Sequence, residues 1–299
     1  MVSRFIELPT NKAILLDNMT CPYCGVGLSS DNETKEHVIG RRFVPKGKLN
    51  GQWNLILKAC GECNTVKSFL ENDISAITLA GRMWFDTGGY EKAVLDEVQR
   101  KAKNSTSRKT GKPVKHSQEE LNFSASLGHG ATIKIGLVAP PQFDSARAFD
   151  LARMQMMAFF YFITYEHEVK KGGYWPEGFY PVSMVPHDDW GNTLQKAFMQ
   201  AVVAWEPRWI GHTADGYFKS IIRRHPSEDC WSWALEWNNN YRLVGFFGGL
   251  ESVRAIVNGF PKPDMTVLPT GTGVTLRFRQ NIGLDGEKDL LFVWHEKQA

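Results

Sequence analysis

Two closely spaced pairs of cysteines are the residues of this sequence with the most specific chemical potential. Cys21 and Cys24 form one Cys-x-x-Cys pair, and Cys60 and Cys63 form a second pair after a gap of 35 residues. Four thiolates complete one tetrahedral zinc site, and a glycine beside each pair lets backbone amides turn toward the sulfur atoms. The spacing therefore predicts a structural zinc with no open coordination position, so any reaction must take place elsewhere.

The segment between and just after these pairs carries residues suited to acid-base chemistry, metal binding and phosphate binding. A Glu-His dipeptide also occurs by chance on protein surfaces, but its position between the two pairs favours a catalytic role for Glu36 and His37. Asn54 is expected to act mainly as a structural residue. The candidates are Glu36, His37, Arg41, Arg42, Asn54, Asn64 and Lys67.

An acidic residue followed by His, then Asn-Leu, then Cys-x-x-Cys-Asn-x-x-Lys resembles the motif of the HNH (ββα-metal) endonucleases, in their four-cysteine zinc subclass. The resemblance covers about residues 20–72. It implies that His37 is the general base, that Glu36 and Asn64 bind a catalytic divalent metal, and that Asn54 braces the loop holding His37. Asn64 stands where other members have His, and Glu36 stands where Asp is commoner. Cleavage would leave a 5′-phosphate and a 3′-hydroxyl.

The chemistry of phosphodiester hydrolysis agrees with these roles. Histidine suits the activation of water near neutral pH, and a hard cation stabilises charge on the scissile phosphate and the leaving oxygen. One carboxylate and one amide oxygen, from Glu36 and Asn64, make a sparse site of the kind magnesium accepts, because magnesium retains several waters. We therefore expect two cofactors, a structural zinc and a catalytic magnesium or other divalent cation.

Basic residues near this motif are expected to bind nucleic acid. Asn64, Lys67 and Glu71 share one face of a predicted helix, which points Lys67 toward a phosphate, although an ordinary surface lysine is the alternative. Glu71 is expected to form a helix salt bridge rather than to bind metal. Between Val98 and Gln118 there are seven basic residues and no acidic one. The predicted nucleic-acid contacts are Arg41, Arg42, Lys67, Arg108, Lys109 and Lys112.

Hydrophobic periodicity predicts the elements that position these residues. Helices are expected at about 64–84, 90–102, 144–170, 190–205 and 250–258. Strands are expected at 217–225, 230–237, 241–248, 273–279 and 289–294. A turn at Asn238, Asn239 and Asn240 would join two of these strands as a hairpin.

Composition sets the remaining limits. The 299 residues carry a formal net charge of +3, and 42% of them are hydrophobic, which is typical of a folded globular protein. Because no apolar run has signal-peptide or membrane-span length, we expect a cytoplasmic protein without membrane association. In such a reducing compartment, paired cysteines favour a metal over disulfides. Cys230 is expected to be a buried thiol.

These observations predict an α+β protein in which a small zinc-stapled ββα-metal nuclease module precedes a larger α+β domain. The module spans 1–105, a basic linker or loop spans 106–120, and the second domain spans 121–299, with recognition, regulation or homodimerisation as candidate roles. The predicted function is DNA endonuclease, with RNA left open and restriction or phage defence suggested by architecture alone. The alternatives are a non-catalytic zinc-dependent nucleic-acid-binding protein and a zinc-dependent assembly module.

Overall fold

The computed structural model describes residues 6–8, 11–81, 90–128, 131–139, 144–175, 178–263, 265–269 and 275–293. For residues 6–8, 119–128, 131–139, 268–269 and 275–278 it gives the backbone only. The described helices and strands form a mixed α+β fold, as predicted. The helices are α1 (Gly61–Ala80), α2 (Lys92–Asn104), α3 (Ser145–Ile163), α4 (Thr193–Val202) and α5 (Leu250–Val257).

The strands form one large sheet, one small sheet and two hairpin pairs. The small sheet has the order β2-β4-β3, and the six-stranded sheet has the order β1-β8-β9-β10-β11-β7. The first strands are β1 (Ile6–Leu8), β2 (Ile14–Leu15), β3 (Glu33–His37), β4 (Leu55–Cys60), β5 (Glu119–Gly128) and β6 (Ala131–Ala139). The others are β7 (Phe179–Pro186), β8 (Glu206–Thr213), β9 (Phe218–Arg224), β10 (Cys230–Trp237), β11 (Tyr241–Gly248), β12 (Thr266–Pro269) and β13 (Thr275–Phe278).

Strands β3 and β4 and helix α1 follow one another to form the frame of the candidate site. β4 is a largely buried apolar run, and it pairs antiparallel with β3, with His37 opposite Ile56. Helix α1 begins directly after β4 at Gly61, three residues before the predicted start at Asn64. It buries Leu70, Ile74 and Ile77 at helical spacing. The predicted helix end at 84 lies outside the described residues.

The six-stranded sheet confirms three of the five strands predicted in the second half of the chain. β10 and β11 have the predicted bounds, and β9 is one residue shorter at each end. The hairpin turn places Asn238 and Asn239 at φ values of 56° and 54°, a left-handed conformation that asparagine tolerates better than most residues. By contrast, the strand predicted near 289–294 is absent from the described residues 289–293, where Leu291 and Phe292 are buried in a turn.

One hydrophobic cluster joins the N-terminal elements to the large sheet. The Trp53 ring contacts Trp209 edge-on at a centroid distance of 5.4 Å, and its Nε1 donates to His212 O at 2.6 Å. Thr213 Oγ1 in turn donates to Trp53 O at 2.8 Å. Strand β1, from the start of the chain, pairs with β8. The predicted boundary between a nuclease module and a second domain therefore does not separate two hydrophobic cores. The division into two domains stays a prediction.

The segment predicted as a basic linker packs against helix α1. Val114 and Ser117 are buried, and the Arg108 backbone N–H donates to Asp73 Oδ2 at 2.9 Å. Strand β5 then begins at Glu119. Buried contacts thus hold residues 106–117 against the helix that carries the candidate site, and the assignment of 106–120 as a basic linker or loop stays a prediction.

Candidate functional site

The four cysteines of the two pairs lie together at one end of α1. Their sulfur atoms are all within 4.8 Å of one another, and Cys24 Sγ lies 3.7 Å from Cys60 Sγ. A tetrahedral zinc with Zn–S bonds of about 2.3 Å requires sulfur atoms about 3.8 Å apart. Burial raises the pKa of Cys21 to about 11, so a thiolate there needs a cation beside it. The cluster therefore has the chemistry and dimensions of a structural zinc site.

Local structure explains how the cysteines meet. Gly25, at φ 75°, turns the chain so that its N–H donates to Cys21 O at 2.9 Å. Cys60 ends β4, and Cys63 lies in the first turn of α1. The zinc site would thus fix the end of the small sheet to the start of the helix. No other cluster of three or more His, Cys, Asp or Glu ligands occurs in the part of the chain that the structure describes.

A buried ionic network lies next to this cluster, between β3 and α1. Lys67 is 1% exposed, and its Nζ contacts Glu36 Oε1 at 2.8 Å, Glu71 Oε1 at 2.6 Å and His37 O at 3.1 Å. The Tyr23 hydroxyl donates to the same Glu36 oxygen at 3.1 Å. Although burial opposes the charge of Lys67, the carboxylates of Glu71 and Glu36 raise its pKa. The network therefore holds a lysine cation between two acids.

These contacts correct the role predicted for Lys67. The shared helix face of Asn64, Lys67 and Glu71 is turned toward β3, where Glu36 pairs with the lysine. A buried ammonium group that already has three acceptors has no hydrogen left for a phosphate. The Glu71–Lys67 salt bridge has the i, i+4 spacing expected for a helix.

Glu36 and Asn64 line a single cavity of about 640 Å³ beside this network. Tyr23 and Lys67 both contact Oε1 of Glu36, and no described residue donates to its Oε2. The Asn64 side-chain Nδ2 donates to Thr34 Oγ1 at 3.0 Å. This hydrogen bond fixes the amide group of Asn64 and therefore the position of its other polar atom, Oδ1. The two residues predicted as ligands of a second metal therefore line the same cavity.

His37 ends strand β3 and lines the same cavity. Its Nε2 is buried and has no hydrogen-bond partner among the described residues. Burial lowers the pKa of His37, and the positive charge of Arg41 lowers it further. The imidazole is therefore neutral near pH 7, with a ring nitrogen available to accept a proton if the tautomer places the hydrogen on Nδ1.

Asn54 fixes the backbone that follows His37. Its side-chain Oδ1 accepts from Ile39 N at 3.2 Å, and its Nδ2 donates to Ile39 O at 2.7 Å. Asn54 is 6% exposed, and it reaches both Ile39 groups from the start of the segment that becomes β4. Asn54 thus braces the backbone at Ile39, which lies two residues after His37.

Helix α2 supplies Arg100, Lys101 and Asn104 to the cavity, and the first two belong to the basic segment between Val98 and Gln118 without being among the predicted nucleic-acid contacts. Lys101 is buried, and its Nζ donates to Arg42 O at 2.5 Å and to Ser75 Oγ at 3.0 Å. Burial lowers the pKa of Lys101 to about 8. The sequence contained one signal for this burial: Lys101 lies on the apolar face of α2 with Val94 and Ala102. A lysine on such a face needs buried hydrogen-bond acceptors.

The remaining basic candidates divide into two groups. Arg41 and Arg42 are exposed and line the cavity. Arg108 lies over the ring of Phe69, another cavity residue, at 5.6 Å. Lys109 and Lys112 are exposed on the following loop and do not line the cavity. Of the six predicted nucleic-acid contacts, Arg41 and Arg42 therefore line the cavity, whereas Lys67, Arg108, Lys109 and Lys112 do not.

A second buried ionic network lies in the six-stranded sheet. Glu236 is fully buried and contacts Arg242 Nε at 2.6 Å, Lys219 Nζ at 2.6 Å and His187 Nδ1 at 3.1 Å. Although burial opposes it, these partners hold the pKa of Glu236 well below its usual range. Arg242 also pairs with Asp289 at 2.5 Å. Both oxygens of Glu236 are occupied, so this network has no free ligand atom on that carboxylate.

Comparison with known protein families, curated proteins and solved structures found no match to this chain. Among the described residues, no helix is long and apolar enough to cross a membrane. Cys230 is buried at the start of β10, as predicted.

Proposed function

We propose that this protein is a metal-dependent endonuclease of the HNH type that hydrolyses DNA phosphodiester bonds. The observation that carries the proposal is the lining of one cavity, which includes His37 with its unpaired Nε2, a carboxylate and an amide as potential metal ligands, and several exposed arginines. In a metal-dependent nuclease, the histidine can act as the base, the carboxylate and amide can hold the cation, and the arginines can bind phosphates. A binding module would need the cysteines and arginines but not the carboxylate and histidine.

The two metals would have separate tasks. Zinc, held by the four cysteines, would stabilise the junction of β4 and α1 and take no part in the reaction, because no coordination position is open. Glu36 Oε2 and Asn64 Oδ1 would be the protein ligands of a divalent cation, since the other polar atom of each side chain is already occupied. Such a cation, when bound, supplies charge stabilisation for the phosphate and the leaving oxygen.

The chain's own residues would perform the remaining steps. His37 Nε2 would accept a proton from the attacking water, as a neutral imidazole can do near pH 7. Tyr23 and Lys67 would orient Glu36, because both contact its Oε1, and its Oε2 would then be the oxygen that binds the cation. Arg41, Arg42 and Arg100 would bind phosphate oxygens on either side of the scissile bond.

Cleavage of supercoiled plasmid DNA tests the proposal. We expect nicking that requires Mg²⁺ and yields ends that DNA ligase can reseal, since ligase requires a 5′-phosphate beside a 3′-hydroxyl. Asn64→Ala should need a higher Mg²⁺ concentration, whereas Asn258→Ala, an exposed residue at the end of α5, should behave as wild type. DNA binding without cleavage at any divalent metal concentration would contradict the proposal and favour the non-catalytic nucleic-acid-binding alternative.

A further inference from the structure

His37 borders a second cavity as well as the one that holds Glu36 and Asn64. This second cavity has a volume of about 570 Å³. His37 and Arg41 line both cavities, whereas Glu36 and Asn64 line only the first. Because successive side chains of a strand point to opposite faces, Glu36 and His37 direct their side chains to opposite sides of β3. The second cavity therefore extends from His37 on the side away from Glu36.

The lining of the second cavity is polar and positively charged. Its two cations are Arg41 and Lys46, and none of its described lining residues is acidic. Asn11 and Asn50 are exposed at its surface and present side-chain amides. An amide that both donates and accepts can pair with the edge of a base, and a cation beside it can bind the adjoining phosphate.

The loop that forms one wall of this cavity is fixed at both ends. The backbone N–H of Lys46 donates to Glu97 Oε2 on α2 at 2.5 Å, and the Gln52 side chain donates to Asp215 Oδ1 at 2.5 Å. Between them, Gly51 adopts a φ of 70°, and a side chain at that position would meet no atom within 4 Å. The wall is thus preformed, and open space lies over its backbone.

A third depression joins the two cavities along their basic edge. Four cations, Arg41, Arg42, Lys46 and Arg100, line it together with one acidic residue, Glu97, and its volume is about 500 Å³. Arg41 belongs to all three cavities, and Lys46 belongs to the second and third. A phosphate chain that crosses His37 would consequently meet a cation on both sides of the scissile bond.

We propose that the second cavity is a nucleotide subsite. It would take the nucleotide that adjoins the scissile phosphate on the side away from Glu36 and Asn64. Arg41 and Lys46 bind successive phosphates of the strand, and the amides of Asn11 and Asn50 contact the base. This inference rests on the proposed function and adds to it that the enzyme holds nucleotides on both sides of the bond it cleaves.

Asn50→Asp tests the subsite, because it keeps the size of the side chain and places a negative charge in the cavity. Its matched control is Asn258→Asp, an exposed asparagine outside the three cavities. The affinity of each protein for a fluorescein-labelled DNA duplex is measured by fluorescence anisotropy with Ca²⁺ in place of Mg²⁺. We expect the dissociation constant to rise about tenfold for Asn50→Asp and to change less than about twofold for the control. Circular dichroism verifies that both variants are folded.

Hydrolysis of bis(p-nitrophenyl) phosphate by the wild-type protein, with His37→Ala as the inactive reference, reports separately on the proposed function. This small diester contains no nucleotide that could occupy the second cavity. If the wild type hydrolyses it while both aspartate variants bind DNA equally well, the subsite is wrong and the proposed function stands. If the wild type neither hydrolyses the diester nor binds the duplex, both are overturned.

Discussion

The protein contains two buried networks of acids and bases, which differ in whether a carboxylate oxygen remains without a partner. In the N-terminal network, Tyr23 and Lys67 occupy one oxygen of Glu36, and the carboxylate borders a cavity that also holds His37. In the six-stranded sheet, Glu236 has both oxygens paired. Buried charge alone does not therefore indicate a functional site. The first network differs from the second because its carboxylate lines a cavity and has one oxygen without a partner among the described residues.

The largest expected effect is the difference between replacing a cysteine of the metal cluster and replacing the cysteine of the large sheet. Cys63→Ser should abolish zinc binding and unfold the elements around the cluster, because binding of a structural zinc contributes roughly 10–16 kcal/mol in small zinc modules. Cys230→Ala, in the large sheet, should retain the full zinc content. Zinc analysis and circular dichroism measure both outcomes. A folded Cys63→Ser protein without zinc would show that the metal does not stabilise the module.

Loss of the carboxylate in the large sheet should affect stability but not activity. Glu236→Gln leaves Arg242 and Lys219 without their shared counter-charge, and breaking a buried ion pair costs roughly 3–5 kcal/mol. We expect urea denaturation to show a decrease of that order in the free energy of unfolding. Plasmid cleavage per folded molecule should equal that of wild type. Loss of cleavage in this folded variant would mean that the second network contributes to the reaction.

The corresponding change in the N-terminal network should affect both properties. Lys67→Met removes the cation between Glu36 and Glu71, so the two carboxylates repel each other and Glu36 loses one of its two orienting contacts. Besides a loss of stability of about 3 kcal/mol, we expect cleavage to slow about tenfold and to require more Mg²⁺. The measurement is the cleavage rate as a function of Mg²⁺ concentration. An unchanged dependence would exclude Lys67 as a positioning residue.

The smallest expected effect concerns the pH dependence of cleavage. Burial and the charge of Arg41 lower the pKa of His37, so the neutral base persists to more acidic pH than an exposed histidine would allow. Cleavage should increase as the pH rises through this pKa. Arg41→Gln removes one cause of the shift, which raises the pKa and moves the acidic limb of the profile to higher pH. Arg254→Gln, an exposed arginine on α5, should leave that limb in place.

Features set by local sequence were predictable. The cysteine spacing located the metal cluster, and alternating or helical apolar patterns located β10, β11 and most of α1. Strands β7 and β8 were missed because each contains prolines or glycine within the strand. Pro181 and Pro186 are tolerated in β7 since it lies at the edge of the sheet, and Pro207 lies beside a register shift in β8.

Features set by contacts distant in sequence were not predictable. The helical spacing of Asn64, Lys67 and Glu71 gave the correct shared face, but the burial of Lys67 depends on Glu36, a residue of another strand. The shared core likewise depends on Trp53 packing against Trp209, 156 positions later in the sequence. Local periodicity contains no information on such partners, because it reports only which side of an element is apolar.

A comparison of two histidines tests the central claim most directly. His37 borders the cavity with a free ring nitrogen, whereas His187 pairs with Glu236 in the large sheet. We expect His37→Ala to nick supercoiled plasmid at least about 100-fold more slowly than wild type, as loss of a general base predicts, with its zinc content and fold unchanged. His187→Ala should nick at the wild-type rate. Wild-type nicking by His37→Ala would contradict the account.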